Sequence, residues 1–278
     1  MTKLKLKKYK GFFYREKSQD KYVIDESFSN KGYYKNLKFN IKDNFTVIDI
    51  GANIGAFTVP VAKIAKKVFS FEPEKDNFSL LKKNIKLNNL KNVYLFNCGI
   101  LYKDGKKKLF LTPKPGGEYS LYLKSDYPEI IKVISLRRVF EDNSIEFCHF
   151  LKIDAEGSEY EILKNLPSDY FKKIGIIALE YHDYIVKNEL KNIIKLLIDT
   201  GFKLKVIYED YPKRGIIIAK KSKKSFILYL TNHLNYFISR IDKSKLPPEN
   251  RNYLKIILKK FDRFLGQGGI FLRKILKK

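Results

Sequence analysis

The sequence predicts an open, mostly parallel α/β sheet that is doubly wound, with helices on both faces. Short apolar runs alternate five times with helical patterns between residues 46 and 200. The series then ends in two strand-like segments with the spacing of an antiparallel pair. A chain of 278 residues, 44% of them hydrophobic, is long enough to bury the core of such a domain.

Five buried parallel strands are expected from short, nearly continuous apolar runs, because a parallel strand packs against helices on both faces. The first run is the clearest, since Gly51 ends it. Residues 101–135 contain prolines and a Gly-Gly pair and are expected to form loops and short strands inserted before the fourth strand. The five strands are residues 46–51, 67–73, 92–100, 146–154 and 174–182, and the closing pair is 202–208 with 215–220.

Helices are expected between these strands. The second helix carries Phe78, Leu81, Ile85 and Leu87 at the spacing of one buried face. Pro167 ends the third helix, because proline lacks the N–H that would continue the hydrogen-bond ladder. The four helices are residues 55–66, 75–88, 158–166 and 184–200.

The chain divides into three regions by composition. Residues 1–44 are basic and aromatic and are expected to pack on the following domain, residues 45–220, as short strands or helices. The tail, residues 221–278, holds 15 Lys and Arg residues against 3 acidic ones. Its apolar residues recur at helical spacing, which predicts two basic amphipathic helices. These helices pack either on the sheet domain or a second subunit, or on a membrane surface.

The net charge of +26 favours an anionic partner, which is a nucleic acid, a lipid surface or a phosphorylated substrate. Coding bias toward lysine explains the charge equally well. The two cysteines, Cys98 and Cys148, form no CxxC pair and therefore indicate a reducing compartment and no zinc site. The first residues lack a signal-peptide pattern, and no long charge-free apolar stretch occurs. We therefore expect a cytoplasmic protein, at most peripheral at the membrane.

The turn after the first strand is the strongest candidate for binding a cofactor. Gly51 permits a tight turn, Ala52 follows it, and Gly55 lets the next helix approach the strand closely. Asp49 and Asn53 offer hydrogen-bonding groups to an amino-acid moiety such as that of S-adenosylmethionine. The G-x-G-x-x-G pattern of a pyrophosphate-binding loop is missing, which argues against a dinucleotide.

The end of the second strand supplies a carboxylate about 20 residues after Gly51. A carboxylate at this place, Glu72, can accept hydrogen bonds from both ribose hydroxyls of a nucleoside cofactor. Pro73 then turns the chain away from the strand. The two strand ends together predict a site for a nucleoside-bearing cofactor.

The ends of the fourth and fifth strands supply the candidate catalytic residues. Ligands of open α/β sheets bind beyond the carboxyl ends of the strands, where Lys152, Asp154 and Glu156 are expected to meet a substrate. Lys152 either pairs with a neighbouring carboxylate or contacts the substrate. His182 ends the fifth strand and is a candidate general base, because the ordinary pKa of histidine lies near neutrality.

Four motifs together resemble those of the FkbM-type methyltransferases. They are DIGANIGAFT at residues 49–58, FEPE at 71–74, LKIDAEGSE at 151–159 and EYH at 180–182. The resemblance covers roughly half of the chain and leaves out the tail. It implies a Rossmann-like class I fold with a seven-stranded, mostly parallel sheet, S-adenosylmethionine as methyl donor, and O-methylation, often of a sugar hydroxyl in a glycan or glycosylated metabolite.

The resemblance also assigns residues to the two sides of the site. The glycine-loop residues and Glu72, with Pro73, would hold the donor, and Asn97 would lie near its adenine. Asp154, Glu156 and His182 would lie on the acceptor side. Either His182 or Asp154 removes the proton from the acceptor hydroxyl, or a divalent ion held by Asp154 and Glu156 lowers the pKa of that hydroxyl.

Two other functions remain open. The first is an RNA methyltransferase, which the charge favours, although the chain has no Asn/Asp-Pro-Pro-Tyr/Phe motif and no Pro-Cys motif. The second is a non-catalytic protein that binds the cofactor and docks on a membrane through its tail. A hydroxylated small molecule or glycan is the partner that we favour over nucleic acid.

Overall fold

The computed structural model describes residues 5–28, 41–112, 119–210 and 213–221. Seven strands form the main sheet in the order β11-β12-β10-β9-β3-β4-β5. Strand β12 runs antiparallel to both of its neighbours, and the other pairs are parallel. The strands are β3 (Thr46–Ile50), β4 (Lys67–Phe71), β5 (Val93–Phe96), β9 (Cys148–Ile153), β10 (Ile174–His182), β11 (Phe202–Asp210) and β12 (Arg214–Lys221).

This arrangement confirms the predicted doubly wound sheet and the seven strands that the family resemblance implied. From β3 the chain builds outward through β4 and β5 on one side, and later through β9 and β10 on the other. The order of strands therefore reverses between β3 and β9. At such a reversal the connecting loops separate and leave a crevice beyond the strand ends.

Both faces of the sheet are buried, as the apolar strand runs predicted. Neighbouring residues of one strand belong to different core clusters: Phe150 packs with Val47 and Phe57 on one face, and Leu151 packs with Ile48 on the other. This alternation follows from the two-residue period of a strand.

Seven helices of the described residues accompany the strands. The helix Lys75–Leu87 begins and ends almost where it was predicted, whereas the helices Thr58–Ala62 and Glu189–Asp199 are several residues shorter than expected. The helices are α1 (Asp20–Phe28), α2 (Thr58–Ala62), α3 (Lys75–Leu87), α4 (Leu136–Asp142), α5 (Glu159–Lys164), α6 (Ser168–Lys172) and α7 (Glu189–Asp199).

The predicted single strand over residues 92–100 is wrong, because the chain leaves the main sheet after Phe96. The side chain of Asn97 donates hydrogen bonds to the carbonyls of Glu72 and Pro73, at 2.9 and 3.0 Å. The chain then enters a second sheet of order β6-β8-β7. Its strands are β6 (Gly99–Leu101), β7 (Gly105–Phe110) and β8 (Pro128–Ser135).

The buried side of α3 also differs in part from the prediction. Leu81 and Ile85 are buried as expected, but Phe78 and Leu87 are only half-buried. Asn84 is buried instead, since its side chain accepts from the backbone N–H of Phe13 at 2.7 Å and donates to the carbonyl of that residue at 3.2 Å. An amide on this face thus anchors the N-terminal segment.

The N-terminal segment consists of a hairpin, β1 (Leu6–Tyr9) and β2 (Phe12–Arg15), followed by α1. Phe12 of the hairpin and Ile24 of α1 pack in one cluster with Ala52 and Ile54 of the turn after β3. The segment therefore lies directly against the turn that was predicted to bind a cofactor.

The predicted basic helices of the tail lie outside the described residues. Among the helices that the structure describes, none combines the length and the apolar composition needed to cross a lipid bilayer.

Candidate functional site

A cavity lies beyond the carboxyl ends of β3, β4, β9 and β10, at the place where the strand order reverses. Four parts of the chain form its wall: the N-terminal segment, the ends of the central strands, the smaller sheet and the start of β12. The lining residues are Gln19, Tyr22, Val23, Glu26, Ile50, Gly51, Ala52, Asn53, Ala56, Phe57, Phe71, Glu72, Pro73, Asn77, Gly99, Ile100, Leu109, Tyr119, Leu121, Ile131, Val133, Lys152, Asp154, Ala155, Glu156, Ser158, Glu180 and Arg214.

Gly51 stands at the contact between the turn after β3 and the end of β9. Its φ angle is +75°, and a Cβ atom there would lie 1.8 Å from the carbonyl oxygen of Asp154. The N–H groups of Gly51 and Ala52 both donate to the carbonyl of Phe71, at 3.0 Å. Only glycine fits this position, and its turn is held between two strands.

Gly55 does not line the cavity, and it faces α3. A Cβ atom at this position would lie 2.7 Å from Cδ1 of Leu81. The glycine therefore makes room for α3, whereas the sequence predicted a close approach of the following helix to the strand. It would act on a cofactor only through the shape of the turn.

Glu72 is 5% exposed, and both of its carboxylate oxygens are fixed by backbone groups. The N–H of Asn53 donates to one oxygen at 2.7 Å, and the N–H of Glu74 donates to the other at 2.9 Å. Burial raises the pKa of Glu72 to about 7. Each oxygen keeps a second lone pair, so the carboxylate can still accept hydrogen bonds from two ribose hydroxyls.

Pro73 lines the cavity beside Glu72, but Asn97 does not. The amide of Asn97 binds the carbonyls of Glu72 and Pro73, as described above, and its side chain thereby secures this strand end. Gly99 and Ile100 form the neighbouring wall instead. Asn97 therefore lies beside the cavity wall, and its part in binding the donor stays a prediction.

Lys152 lies under the floor of the cavity with an exposure of 3%. Its ammonium donates to the carbonyl of Gly51 at 2.8 Å, and it lies 3.3 Å from a carboxylate oxygen of Asp49 and 3.4 Å from one of Asp154. Burial lowers the pKa of Lys152, but the two carboxylates outweigh this effect and raise it above its ordinary value. The side chain therefore stays charged and serves as a cation.

Asp49 is fully buried below the turn and does not line the cavity. Its second oxygen accepts a hydrogen bond from the hydroxyl of Thr58 at 2.6 Å. Burial raises the pKa of Asp49, and Lys152 opposes this rise. Asp49 would therefore act on a bound cofactor through Lys152 and Thr58, which differs from the direct contact that the sequence suggested.

Three carboxylates from the ends of β9 and β10 converge on the opposite side of the cavity. Asp154 and Glu156 follow β9, and Glu180 lies near the end of β10. Nε2 of His182 lies 3.4 Å from Glu156 and 3.9 Å from Glu180. Burial, and then the charge of Asp154, raise the pKa of Glu180 well above its usual range.

His182 is 2% exposed and lies behind these carboxylates, outside the cavity lining. Its Nδ1 lies 3.1 Å from Glu159, whose two oxygens also accept from the N–H groups of Ala155 and Gly157. Burial lowers the pKa of His182, but Glu159 and the other carboxylates overcome this and raise it to about 11. The ordinary pKa assumed for a general base is therefore not the one this environment gives, and the ring is an imidazolium at neutral pH.

Asp154, Glu180 and His182 offer ligand atoms within 4.8 Å of one another, so a divalent ion could bind there only if the imidazolium of His182 lost its proton. The sequence suggested Asp154 with Glu156 for this purpose. Oxygen and imidazole ligands of this kind suit several divalent metals. The buried side chains of Glu159, His182 and Glu189 also offer ligand atoms within 4.8 Å of one another.

Sequence reasoning missed the contributions of α1 and β12 to the wall. Gln19, Tyr22, Val23 and Glu26 have the spacing of a single helical face, and that spacing is visible in the sequence. No comparable signal identifies Arg214, which pairs with His182 in the register of β10 and β12. Only the folded sheet brings Arg214 to the cavity, with its Nε 3.5 Å from Glu180.

Comparison with known proteins gives one family match and several relatives. The methyltransferase FkbM domain matches residues 49–204. "Methyltransferase 1" of Beauveria bassiana is 24% identical over 207 residues, which cover 65% of this chain and 82% of that protein. "Hexuronic acid methyltransferase AglP" of Haloferax volcanii is 25% identical over 150 residues, covering 54% and 59% of the two chains. "Probable ribosomal RNA small subunit methyltransferase A" of Methanosphaera stadtmanae is 37% identical over 106 residues, covering 38% of each chain.

The family match extends over more than half of the chain and includes the turn after β3, both central strand ends and the end of β10. These segments supply the central part of the cavity lining, and α1 and the start of β12 lie outside the match. The chain belongs to the FkbM methyltransferase family and is an S-adenosylmethionine-dependent methyltransferase.

Proposed function

We propose that this methyltransferase transfers the methyl group to a hydroxyl oxygen of a sugar, in a glycan or a glycosylated metabolite. One observation carries the proposal: a single cavity joins the turn after β3 and Glu72 on one side to the carboxylates Asp154, Glu156 and Glu180 on the other. Carboxylates accept hydrogen bonds from hydroxyl groups, and a sugar presents several hydroxyls at once.

The first side of the cavity suits S-adenosylmethionine. Glu72 can bind the two ribose hydroxyls, and the turn at Gly51 lets the backbone approach the amino-acid end. Pro73, Ile100 and Val133 provide an apolar slot for the adenine ring. When bound, S-adenosylmethionine supplies a methyl group on a positively charged sulfur. The neutral thioether S-adenosylhomocysteine is then a good leaving group. The chain has to align the acceptor oxygen with that methyl group and remove the hydroxyl proton.

Glu180 is our candidate for accepting the proton. Its pKa lies well above the usual range, because burial and the nearby Asp154 disfavour its charged form. A carboxylate with a raised pKa is a stronger base near neutral pH. We assign Asp154 and Glu156 to the binding of acceptor hydroxyls, and His182 to holding the carboxylates in place as a cation.

The hexuronic acid methyltransferase among the relatives, which is 25% identical, supports a sugar acceptor. The test is methyl transfer from labelled S-adenosylmethionine to free and glycosidically linked hexoses and hexuronic acids. We expect an alkali-stable methyl ether on one class of sugar. Binding of S-adenosylhomocysteine without transfer to any sugar would contradict the proposed acceptor while leaving the donor site intact.

A ribosomal or transfer RNA acceptor is the second candidate, because the net charge of +26 and the relative from Methanosphaera stadtmanae favour it. The carboxylates of the acceptor side argue against it, since they repel phosphate groups. The same transfer assay with total RNA separates the two. Transfer to RNA that falls steeply with salt would favour this candidate.

Two further parts of the sequence prediction stay open to test. Methyl transfer with EDTA and with added Mg²⁺ tests whether an ion at Asp154 and its neighbours takes part. Co-sedimentation with anionic vesicles, before and after deletion of residues 223–278, tests whether the basic tail binds a membrane surface.

A further inference from the structure

Helix α1 presents two different faces. The residues that pack on the domain are Asp20, Ile24 and Ser27, which are fully buried and recur at helical spacing. The residues that line the cavity are Gln19, Tyr22, Val23 and Glu26, which share another face. A short helix at the protein surface usually leaves its second face to the solvent. Here the second face forms a wall of the methyltransferase cavity.

This wall is fixed relative to the donor side. The guanidinium of Arg15 donates to Asp20 at the start of α1, at 2.8 Å, and to the side chain of Asn77 in the first turn of α3, at 2.6 Å. Asn77 itself lines the cavity, and Arg15 and Asp20 are buried. The two contacts connect α1 to the helix that follows Glu72, so its cavity face has a defined position.

Tyr22 is the most exposed residue of this wall, with 64% of its surface accessible. On the donor side, Glu72 is 5% exposed and Ile100 is 4% exposed, and Gly51, Asn53 and Pro73 are half-buried. The ring of Tyr22 is more exposed than these residues and therefore stands at the rim of the cavity, open to solvent. Its ring has an apolar face and a polar hydroxyl, and both are accessible beside the cavity.

We propose that Tyr22 is the platform on which the sugar ring of the acceptor packs, with the acceptor hydroxyls directed toward Asp154 and Glu180. The inference rests on the proposed sugar O-methylation and adds the residue that selects for a ring-shaped acceptor. The flat face of a tyrosine ring is apolar and matches the C–H face of a sugar, and its hydroxyl stays in water. The carboxylates of the cavity then complement the polar edge of the same ring.

The test compares Tyr22→Ala and Tyr22→Phe with the unchanged full-length chain, with the sugar that the wild type methylates best in the panel as acceptor. Tyr22→Ala is expected to raise the KM for that sugar about tenfold, since the packing surface is lost. Tyr22→Phe keeps the ring and should change KM by less than about twofold. The Kd for S-adenosylhomocysteine, measured by calorimetry, should stay the same in both variants.

Lys21→Ala is the matched control, because Lys21 is exposed on the same helix and does not line the cavity. It should leave KM and Kd unchanged. An unchanged KM in Tyr22→Ala would overturn the inference, as would a weaker donor Kd in that variant, which would assign the wall to the donor. A KM that rises as much in Tyr22→Phe as in Tyr22→Ala would also overturn the inference, because it would show that the sugar binds the hydroxyl and does not pack on the ring. If the wild type methylates no sugar, the proposed function is contradicted, and the role proposed for Tyr22 is contradicted with it.

Discussion

Lys152 connects the two sides of the cavity at the scale of a single residue. Its ammonium binds the carbonyl of Gly51 on the donor side and lies next to Asp154 on the acceptor side. A buried charge is stable only with such partners, and Asp49 completes them from below. Asp49, Lys152 and Asp154 therefore form one ionic group, although Asp49 lies about 100 positions before the other two in the sequence.

The proton-accepting role of Glu180 gives the first residue-scale prediction. Glu180→Gln keeps the shape of the side chain and removes its basicity, so kcat should fall by about 10²- to 10⁴-fold. The Kd for S-adenosylhomocysteine should not change. Glu146→Gln, an exposed carboxylate outside the cavity, is the control. Unchanged turnover in Glu180→Gln would transfer the role to Asp154, which Asp154→Asn then tests in the same assay.

The pKa of Glu72 predicts how donor affinity depends on pH. Only the ionised carboxylate accepts hydrogen bonds from two hydroxyls, and burial raises its pKa to about 7. Binding therefore releases a proton below pH 7, and affinity should rise between pH 5.5 and 7 by up to about tenfold per pH unit and level off above. Calorimetry with S-adenosylhomocysteine measures this. Glu72→Gln should bind more weakly and show a flatter profile; a wild-type affinity independent of pH would contradict the assignment.

At the scale of elements, the N-terminal hairpin and α1 show how a polar contact positions a wall. Arg15 and Asp20 form a buried ion pair at the junction of β2 and α1, with Asn77 of α3 as third partner. Two charges that leave water together are compensated by each other, but one alone is not. The position of α1 at the cavity depends on this junction.

Removing one partner of the pair should be costly. Asp20→Ala leaves the guanidinium of Arg15 buried with a single amide partner and should lower the free energy of unfolding by about 3–5 kcal/mol. Urea denaturation followed by circular dichroism measures it. The exposed pair Lys7 and Glu16 is the matched control, and Glu16→Ala should leave the unfolding midpoint unchanged. Equal effects of the two variants would show that α1 is not anchored in this way.

The elements that sequence predicted best are those whose burial is uniform. The strand of residues 174–182 was predicted to the residue, because it is covered on both faces and its apolar run stops where the sheet stops. The break at Asn97 was missed, since nothing in a local pattern reveals that an amide will bind two carbonyls of another strand end. For the same reason the cavity face of α1 was missed: Gln19, Tyr22 and Glu26 are ordinary surface residues until the chain folds over the sheet.

Most of the candidate site residues lie at one cavity, and their roles in binding and catalysis stay predictions. Gly51, Ala52, Asn53, Glu72, Pro73, Lys152, Asp154 and Glu156 all line the cavity that the strand-end rule predicts. The protonation of His182 depends on three carboxylates from two segments, which a linear pattern does not bring together. The spacing of motifs in the sequence thus locates the strand ends. The charge of the side chains there follows only from the folded structure.

At the scale of the whole molecule, the charge of +26 contrasts with the acidic residues of the cavity. A neutral sugar releases no counterions on binding, whereas a polyanion does. We therefore expect kcat/KM for a neutral hexose, or for a hexuronic acid with its single charge, to change by only a few fold between 50 and 200 mM NaCl, against a loss of about 10³-fold or more for an RNA held by six to ten phosphate contacts. Initial rates over this range measure the difference, and a steep loss with the sugar acceptor would contradict a neutral substrate.

The glycine at position 51 limits how this enzyme can be re-engineered. With no room for a single methyl group between the donor turn and the backbone of Asp154, neither can be displaced without moving the other. Changes of acceptor preference introduced through β9 would therefore weaken the hold on the methyl donor as well. Libraries that vary α1 and the start of β12 leave this contact untouched, so those two walls are where new substrates are best sought.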